Sequence, residues 1–395
     1  MRIMFIGAHY HALREALRKL GHEAVGLDYW RWFASGESGP DEQEFVRLWP
    51  DQAGSPLSSA DVQERVIKGA RLLKPDAVVQ FKGWVDGQRK IEPATIRALK
   101  EEHGCRTVYW SVDDPDFVGW FLHQLCPPGT WDVALTCCRD SLAYYRRADV
   151  PQVHLFYPGH DVGWPVEDLE AWASPPPGCP RVIPESVDLV IAGHPYWRGV
   201  GSDVARADVA VRALDMGLTV ALYGPPDTWD HDFRAAEKAA RGAEAEPLVN
   251  GYPRLCPHYH GWLPHDEVWR AYLNAKVVFN NHLRKDPGNR QKYQGYLNDK
   301  VFQICGTGGA VMVMDEQPGV SPEVYTAGEE YLEYRRCARW EDTLDEAMSV
   351  IKRAVDDQEI RRSVSKAARQ RTLEQHMWDN RAAQLVDILG AAGVR

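Results

Sequence analysis

Residues 298–313 read Asn-Asp-Lys-Val-Phe-Gln-Ile-Cys-Gly-Thr-Gly-Gly-Ala-Val-Met-Val, which predicts a short helix begun by Asn298, a glycine-rich turn and a buried strand. The N-terminal N–H groups of such a helix can face a phosphate. Lys300 and Gln303 are three apart, so they share a helical face that can touch a nucleoside. Close backbone contacts alone account for Gly308 and Gly309, but not for that polar face.

Other clusters have the same chemical flavour. Gly7-Ala8-His9-Tyr10-His11 is a small-residue turn whose N–H groups can approach a diphosphate, with His9 or His11 as a proton donor or base; it also reads as a plain tight turn. Phe81-Lys82-Gly83-Trp84 places a lysine beside glycine and tryptophan, suited to an acceptor or a phosphate, or to a lysine snorkelling at the surface. Asp113, Asp114 and Asp116 crowd around Pro115; adjacent acids raise one another's pKa, so one can take a hydroxyl proton, although Asp-Asp-Pro equally suits a helix start. No cage for a metal is completed nearby.

In the second half, Ala192-Gly193-His194-Pro195-Tyr196-Trp197-Arg198 brings a guanidinium to a strand end, for a diphosphate or for a surface ion pair. His260-Gly261-Trp262-Leu263-Pro264 and Phe279-Asn280-Asn281-His282 can read a base through backbone groups and hold sugar hydroxyls through amides, or serve as simple connections.

The elements that must position these residues alternate from the start. Strands are predicted at 2–6, 23–27, 77–81, 107–110, 133–136 and 153–156, separated by helices around 13–20, 62–73, 94–102, 117–125 and 141–147. Ser174-Pro175-Pro176-Pro177-Gly178-Cys179-Pro180 can neither continue a helix nor pair centrally, and it marks a domain boundary. The pattern then restarts: strands at 188–192, 219–223, 277–280 and 310–314, helices at 204–216, 266–274 and 299–305, and a helical tail from Trp340 with a final helix near 381–389. The fold class is therefore α/β, with two Rossmann-like doubly wound domains over 1–175 and 185–375 and a C-terminal helix in 376–395 that returns to the first. Ligands of such sheets bind beyond the strands' carboxyl ends, where every cluster above lies.

At 395 residues two domains are expected. The net charge of −10, from 46 basic and 56 acidic residues, supplies no global attraction for nucleic acid or anionic membrane, and no membrane span is visible. The eight cysteines form no CxxC pair, so they are read as reduced thiols in a cytoplasmic protein. Most of the 15 tryptophans belong to cores, though several stand beside turns where a sugar or base can stack.

Taken together, the residues resemble GT-B glycosyltransferases, and most closely the spore-maturation CgeB-type proteins with a group 1 glycosyltransferase C-terminal domain. The likeness is carried by Lys74-Pro75-Asp76, Trp110 with Asp113-Asp114-Pro115, Gly261 with Leu263-Pro264, Asn298, Phe302, Gly308-Gly309 and Arg381. Lys300 stands where the family usually has arginine and Gln303 where it has a ribose-binding glutamate; the glutamate eight residues earlier falls at Gly295. The resemblance implies transfer of a sugar from a nucleotide-diphosphate donor, a UDP-sugar above all, with no metal or other cofactor and with retention at the anomeric carbon, in a cleft between the halves.

Gly7, Gly193, Arg198, Gly261, Trp262, Asn281, Lys300, Gln303, Gly308 and Gly309 would hold the donor; Lys82, Trp84 and His11 the acceptor; and Asp113, Asp114 and His9 would act in catalysis. The implied acceptor is a polysaccharide, small molecule or protein, with a hydroxymethylated DNA base as an alternative; a non-catalytic nucleotide-sugar binder and an epimerase are the other readings.

Overall fold

A computed structural model describes residues 1–7, 10–42, 55–85, 88–112, 124–161, 186–193, 204–224, 254–261, 263, 268–282, 295–320 and 322–394. Two compact units emerge: Met1–Gly159 with Met377–Arg395, and His160–His376. The second begins at His160, ahead of the proline-rich segment, which lies outside the described residues.

In the first unit, strands β1 (Arg2–Ile6), β2 (Glu23–Leu27), β3 (Ala77–Phe81), β4 (Arg106–Ser111), β5 (Val133–Thr136) and β6 (Gln152–Leu155) form a parallel sheet in the order β2-β1-β3-β4-β5-β6. Their near-continuous apolar runs suit strands buried on both faces. One face is covered by helices α2 (Tyr29–Ser35), α3 (Ser59–Leu73), α4 (Pro93–His103) and α5 (Ser141–Arg147), which share a core with Met4, Ile6, Val78, Tyr109 and Ala134. Helix α3 starts at a capping box between Ser58 and Asp61. The spacing rules miss α2: its segment is dominated by aromatic residues, Tyr29, Trp30, Trp32 and Phe33, but Asp28 caps it and Gly36 ends it in the left-handed conformation. The helix expected over 117–125 falls mainly on residues not described.

On the other face lie α1 (His11–Lys19) and the C-terminal helix, whose Trp378, Ala382, Leu385 and Leu389 join Phe5, Phe81 and Trp110 in one core. Tyr10, in the left-handed region at φ 56°, stacks within 5.3 Å of Phe81 and Trp110 and 4.7 Å of Trp378. These contacts place the C-terminal helix in the first unit.

The second unit repeats the plan with β7 (Val187–Ala192), β8 (Val220–Tyr223), β9 (Ala275–Asn280), β10 (Val311–Asp315) and β11 (Leu332–Tyr334), parallel in the order β11-β10-β9-β7-β8. Its helices are α6 (Arg206–Asp215), α7 (Val268–Leu273), α8 (Asp299–Thr307), α9 (Trp340–Asp356) and α10 (Gln358–Gln375), so the C-terminal helix Trp378–Ala391 is α11. The helical tail expected from Trp340 consists of α9, α10 and α11, whereas strand β11 was not foreseen; three residues at a sheet edge carry too little periodicity to read. Among the described residues no helix is long and apolar enough to cross a membrane. Cys105, Cys126, Cys137, Cys138, Cys305 and Cys337 are free thiols.

His160 opens the second unit buried against α8. Its N–H donates to the His376 carbonyl at 2.7 Å, and a Cβ added at Gly306 would lie 2.3 Å from its ring. Burial, reinforced by the Arg369 charge, lowers its pKa to about 4. Between the ordinary value of 6.5 and about 4, the unfolded chain takes up a proton that the folded chain refuses, so stability falls as pH drops through that window. The loss attributable to His160 is about 3 kcal/mol. Denaturant unfolding across this pH range should show a steep acid-side decline that His160→Gln makes shallower; an unchanged slope would refute this account.

Candidate functional site

In an open parallel sheet, the place where successive connections leave in opposite directions opens a crevice at the carboxyl ends. In the second unit this point lies between β7 and β9, the strands flanking the reversal of order. Gly193 directly follows β7 with φ +116°, and its N–H donates to the Tyr223 carbonyl at 2.7 Å. A side chain there would be strained and would also collide: its Cβ would stand 2.7 Å from Arg206 Nη1 and 3.5 Å from both Cε and Nζ of Lys300. Glycine is therefore required where a bare backbone runs beside two cations.

Arg206, the first residue of α6, is 0% exposed. Its Nε donates to Asn281 Oδ1 (2.8 Å), Nη2 to the Asn281 carbonyl (3.0 Å) and Nη1 to the Ala192 carbonyl (3.4 Å). Asn281 Nδ2 donates in turn to the Val204 carbonyl at 2.8 Å. The expectation that the Asn281 amide holds sugar hydroxyls therefore meets a different arrangement: both ends of the amide are engaged by protein, in a strut that fixes Arg206.

Lys300 lies in the first turn of α8, and Gln303 follows less than a turn later. The helix N-terminus, with its partial positive charge, is thus at the same sheet end as Gly193. Asn298 occupies the cap position, but its side chain makes no capping bond; its amide instead exchanges two 3.2 Å hydrogen bonds with the amide of Asn280. Gly308 and Gly309 stand at the other end of α8, about 13 Å away along a nine-residue helix. Gly308 is the left-handed C-cap facing Arg369, and a Cβ on Gly309 would lie 2.6 Å from the Leu273 backbone. Helix termination and close contact explain these two glycines, and the structure does not bring them to Lys300.

Beside β8, the Gly261 carbonyl accepts from Gly224 N–H (3.1 Å), and His260 N–H donates to Leu222 (2.9 Å). Gly261 has φ +88° with open space where a Cβ would point. Gly193, Gly261 and Lys300 therefore gather at the carboxyl ends of adjacent strands, while Arg198 and Trp262 lie outside the described residues.

Two polar features escaped the sequence reading. Asp315, closing β10, accepts from the His282 N–H (3.0 Å), His282 Nδ1 (2.9 Å) and Gln317 Nε2 (2.8 Å), and it pairs with Arg336. This fixes the imidazole of His282 at the carboxyl end of β9; an acid ending the run Val311-Met312-Val313-Met314 was the available signal. Tyr272 is fully buried near Asp299 and Arg206, its hydroxyl has no protein partner, and burial holds its phenol well above the usual range.

In the first unit, Gly7 (φ +111°) ends β1 as Gly193 ends β7, but its added Cβ would meet Phe81 and Tyr29 at 3.1–3.2 Å. Lys82, left-handed at φ 55°, sets Nζ 5.9 Å from the Trp84 ring centroid. His11 begins α1 half exposed, 3.8 Å from Asp41 and 3.7 Å from Glu15. His9, Asp113 and Asp114 lie outside the described residues. No group of three metal-ligating side chains occurs among the described residues.

Residues 206–387 match the model of a family described as glycosyl transferase-like. No curated protein matches the sequence. Among solved structures, a glycosyltransferase from Rickettsia africae aligns over 99% of this chain and 98% of its own, with TM-score 0.57 and 10% identity. Anabaena Alr3699/HepE, solved with UDP-glucose, aligns over 99% and 100% at TM-score 0.59 and 10% identity. AviGT4, a glycosyltransferase involved in avilamycin A biosynthesis, aligns over 98% and 97% at TM-score 0.53 and 12% identity. The fold is the two-domain Rossmann-like GT-B fold, and the glycosyl transferase-like match falls on most of its second unit.

Proposed function

We propose that this chain transfers a sugar from a nucleoside-diphosphate sugar, with UDP as the nucleotide, to a hydroxyl acceptor. The observation that carries this reading is Lys300 Nζ lying 3.5 Å from where a Gly193 side chain would begin, at the amino end of α8. A bare backbone, an ammonium and a helix N-terminus at one sheet end suit a pyrophosphate. Arg198 adds charge there, Gln303 accepts from a ribose hydroxyl, and Gly261 with Trp262 receives the base. HepE, of the same fold, was solved with UDP-glucose. The relation to CgeB-type proteins rests on the sequence motifs alone.

In the reaction, the bond between the anomeric carbon and the β-phosphate oxygen breaks as the acceptor oxygen bonds to that carbon. The nucleoside diphosphate leaves with its charge balanced by Lys300, Arg198 and the helix end, so no metal is needed. The departing phosphate receives the acceptor's proton, and the anomeric configuration is retained. Asp113, Asp114 and His9 act on the acceptor, and Lys82, Trp84 and His11 bind it.

Lys300→Ala should weaken UDP binding about 10–100-fold, the range for losing a charge-assisted hydrogen bond, without changing Tm. Lys300→Arg should restore most of it; calorimetry giving wild-type affinity for the alanine variant would remove the phosphate from this end of α8. Incubation with a nucleotide-sugar panel, with and without saccharide, protein and hydroxymethylated DNA acceptors, should release free nucleotide in the presence of EDTA. Nucleotide binding without consumption would reveal a binder, and donor isomerisation an epimerase. At least one of Asp113→Asn and Asp114→Asn should lower kcat about 100-fold or more at unchanged donor KM; normal turnover by both would exclude the acidic cluster from the chemistry.

A further inference from the structure

The first unit contains buried polar groups of two kinds. At the amino end of β4, Thr107 and Asp132 are paired: Thr107 Oγ1 donates to the Thr130 carbonyl at 2.7 Å, and Asp132 accepts from Thr107 N–H at 2.9 Å and from Lys100 at 2.8 Å. Near the carboxyl ends stand three side chains of the opposite sort. Gln80 is 1% exposed, Ser111 and Ser141 are 0% exposed, and neither atom of the Gln80 amide nor either serine hydroxyl has a hydrogen-bond partner in the protein. Polar groups buried in this way are uncommon, because each forfeits its hydration without replacement.

These three share one region. Gln80 pairs in register with Tyr109, so the two point to the same face of the sheet, and Ser111 lies on that face one step nearer the carboxyl end. Ser111 is the register partner of Thr136, whose Oγ1 accepts from Cys138 N–H at 3.0 Å, and the Cys138 carbonyl accepts from Ser141 N–H at 3.1 Å. Helix α5 brings Ser141 over the same face: one turn further on, the Tyr145 ring lies 6.0 Å from the Tyr109 ring. The Gln80 amide lies against Gly83, where an added Cβ would come within 1.8 Å of Nε2. A glycine is thus what allows the amide to reach the strand end.

We propose that Gln80, Ser111 and Ser141 form a binding site for a neutral polyhydroxylated ligand, a saccharide. The three supply an amide donor, an amide acceptor and two hydroxyls that can do either, with no charge among them. That set complements sugar hydroxyls, which also donate and accept, and it discriminates against ligands lacking them, since those leave the buried groups unpaired. The site lies at the carboxyl end of β4. Its role as the acceptor's seat rests on the transferase reading; the binding itself does not.

The test is calorimetry on the full chain, without nucleotide, using D-glucose, D-galactose, N-acetyl-D-glucosamine and maltose. At least one should bind. Ser111→Ala and Ser141→Ala should each weaken it by about 5–10-fold, as for one lost hydrogen bond, while Tm stays level or rises because an unpartnered buried hydroxyl has been removed. Gln80→Leu should abolish binding with the same effect on Tm. Absence of saccharide binding, or serine variants that lose Tm at unchanged affinity, would overturn the site. Saccharide binding by a chain that never consumes a nucleotide sugar would uphold the site and defeat the transferase reading. Transfer whose acceptor KM ignores all three substitutions would do the reverse.

Discussion

The second unit is organised around a buried guanidinium. Arg206 cannot lie fully enclosed unless its donors are met, and the groups that meet them come from the two strand ends flanking the sheet's reversal: the Ala192 carbonyl after β7 and both oxygens of Asn281 after β9. This single interaction holds the crevice edges in register. It also dictates glycine at 193, because the guanidinium occupies the space beside that backbone. Once Gly193 is bare, the ammonium of Lys300 can approach from α8, and the positive end of that helix adds to the same local field.

The two units use one backbone plan for different chemistry. Each ends its first strand on a glycine with positive φ, and each places that glycine at the reversal of strand order. Around Gly7 the neighbours are Phe81 and Tyr29, with Tyr10 turned into an aromatic cluster beneath; around Gly193 they are Arg206 and Lys300. The second environment is cationic and the first aromatic. The first unit also buries the neutral amide of Gln80 and the hydroxyls of Ser111 and Ser141 near its strand ends, so the two units differ in side chains rather than in topology.

That Lys300 and Gln303 stand in the first turns of a short helix was legible, because helical spacing and a glycine stop are local signals. The same local logic misread their neighbours. Asn298 has the residue type and position of a cap, yet its amide is drawn to Asn280, 18 residues away in sequence. Asn281 resembles a loop amide available to a ligand, but its partner Arg206 is 75 residues distant. Gly308 and Gly309, which the resemblance would place at the donor, make the close contacts with Arg369 and Leu273 that their sequence already allowed. In each case a side chain with several possible partners was claimed by one that the local sequence does not contain.

What the sequence by itself determined is the alternation of elements and hence the α/β class: apolar runs of strand length and amphipathic helices are periodic properties, and periodicity survives without knowledge of contacts. It also determined that polar residues cluster where strands end. The order of the strands, the gathering of Gly193, Gly261 and Lys300 at one sheet end, the Asp315–His282 pair and the unpartnered trio of Gln80, Ser111 and Ser141 were decided only by tertiary structure. Hydrogen bonds and buried charges are satisfied by proximity in space, and a chain of this length offers each polar group far more partners than its neighbours along the backbone disclose.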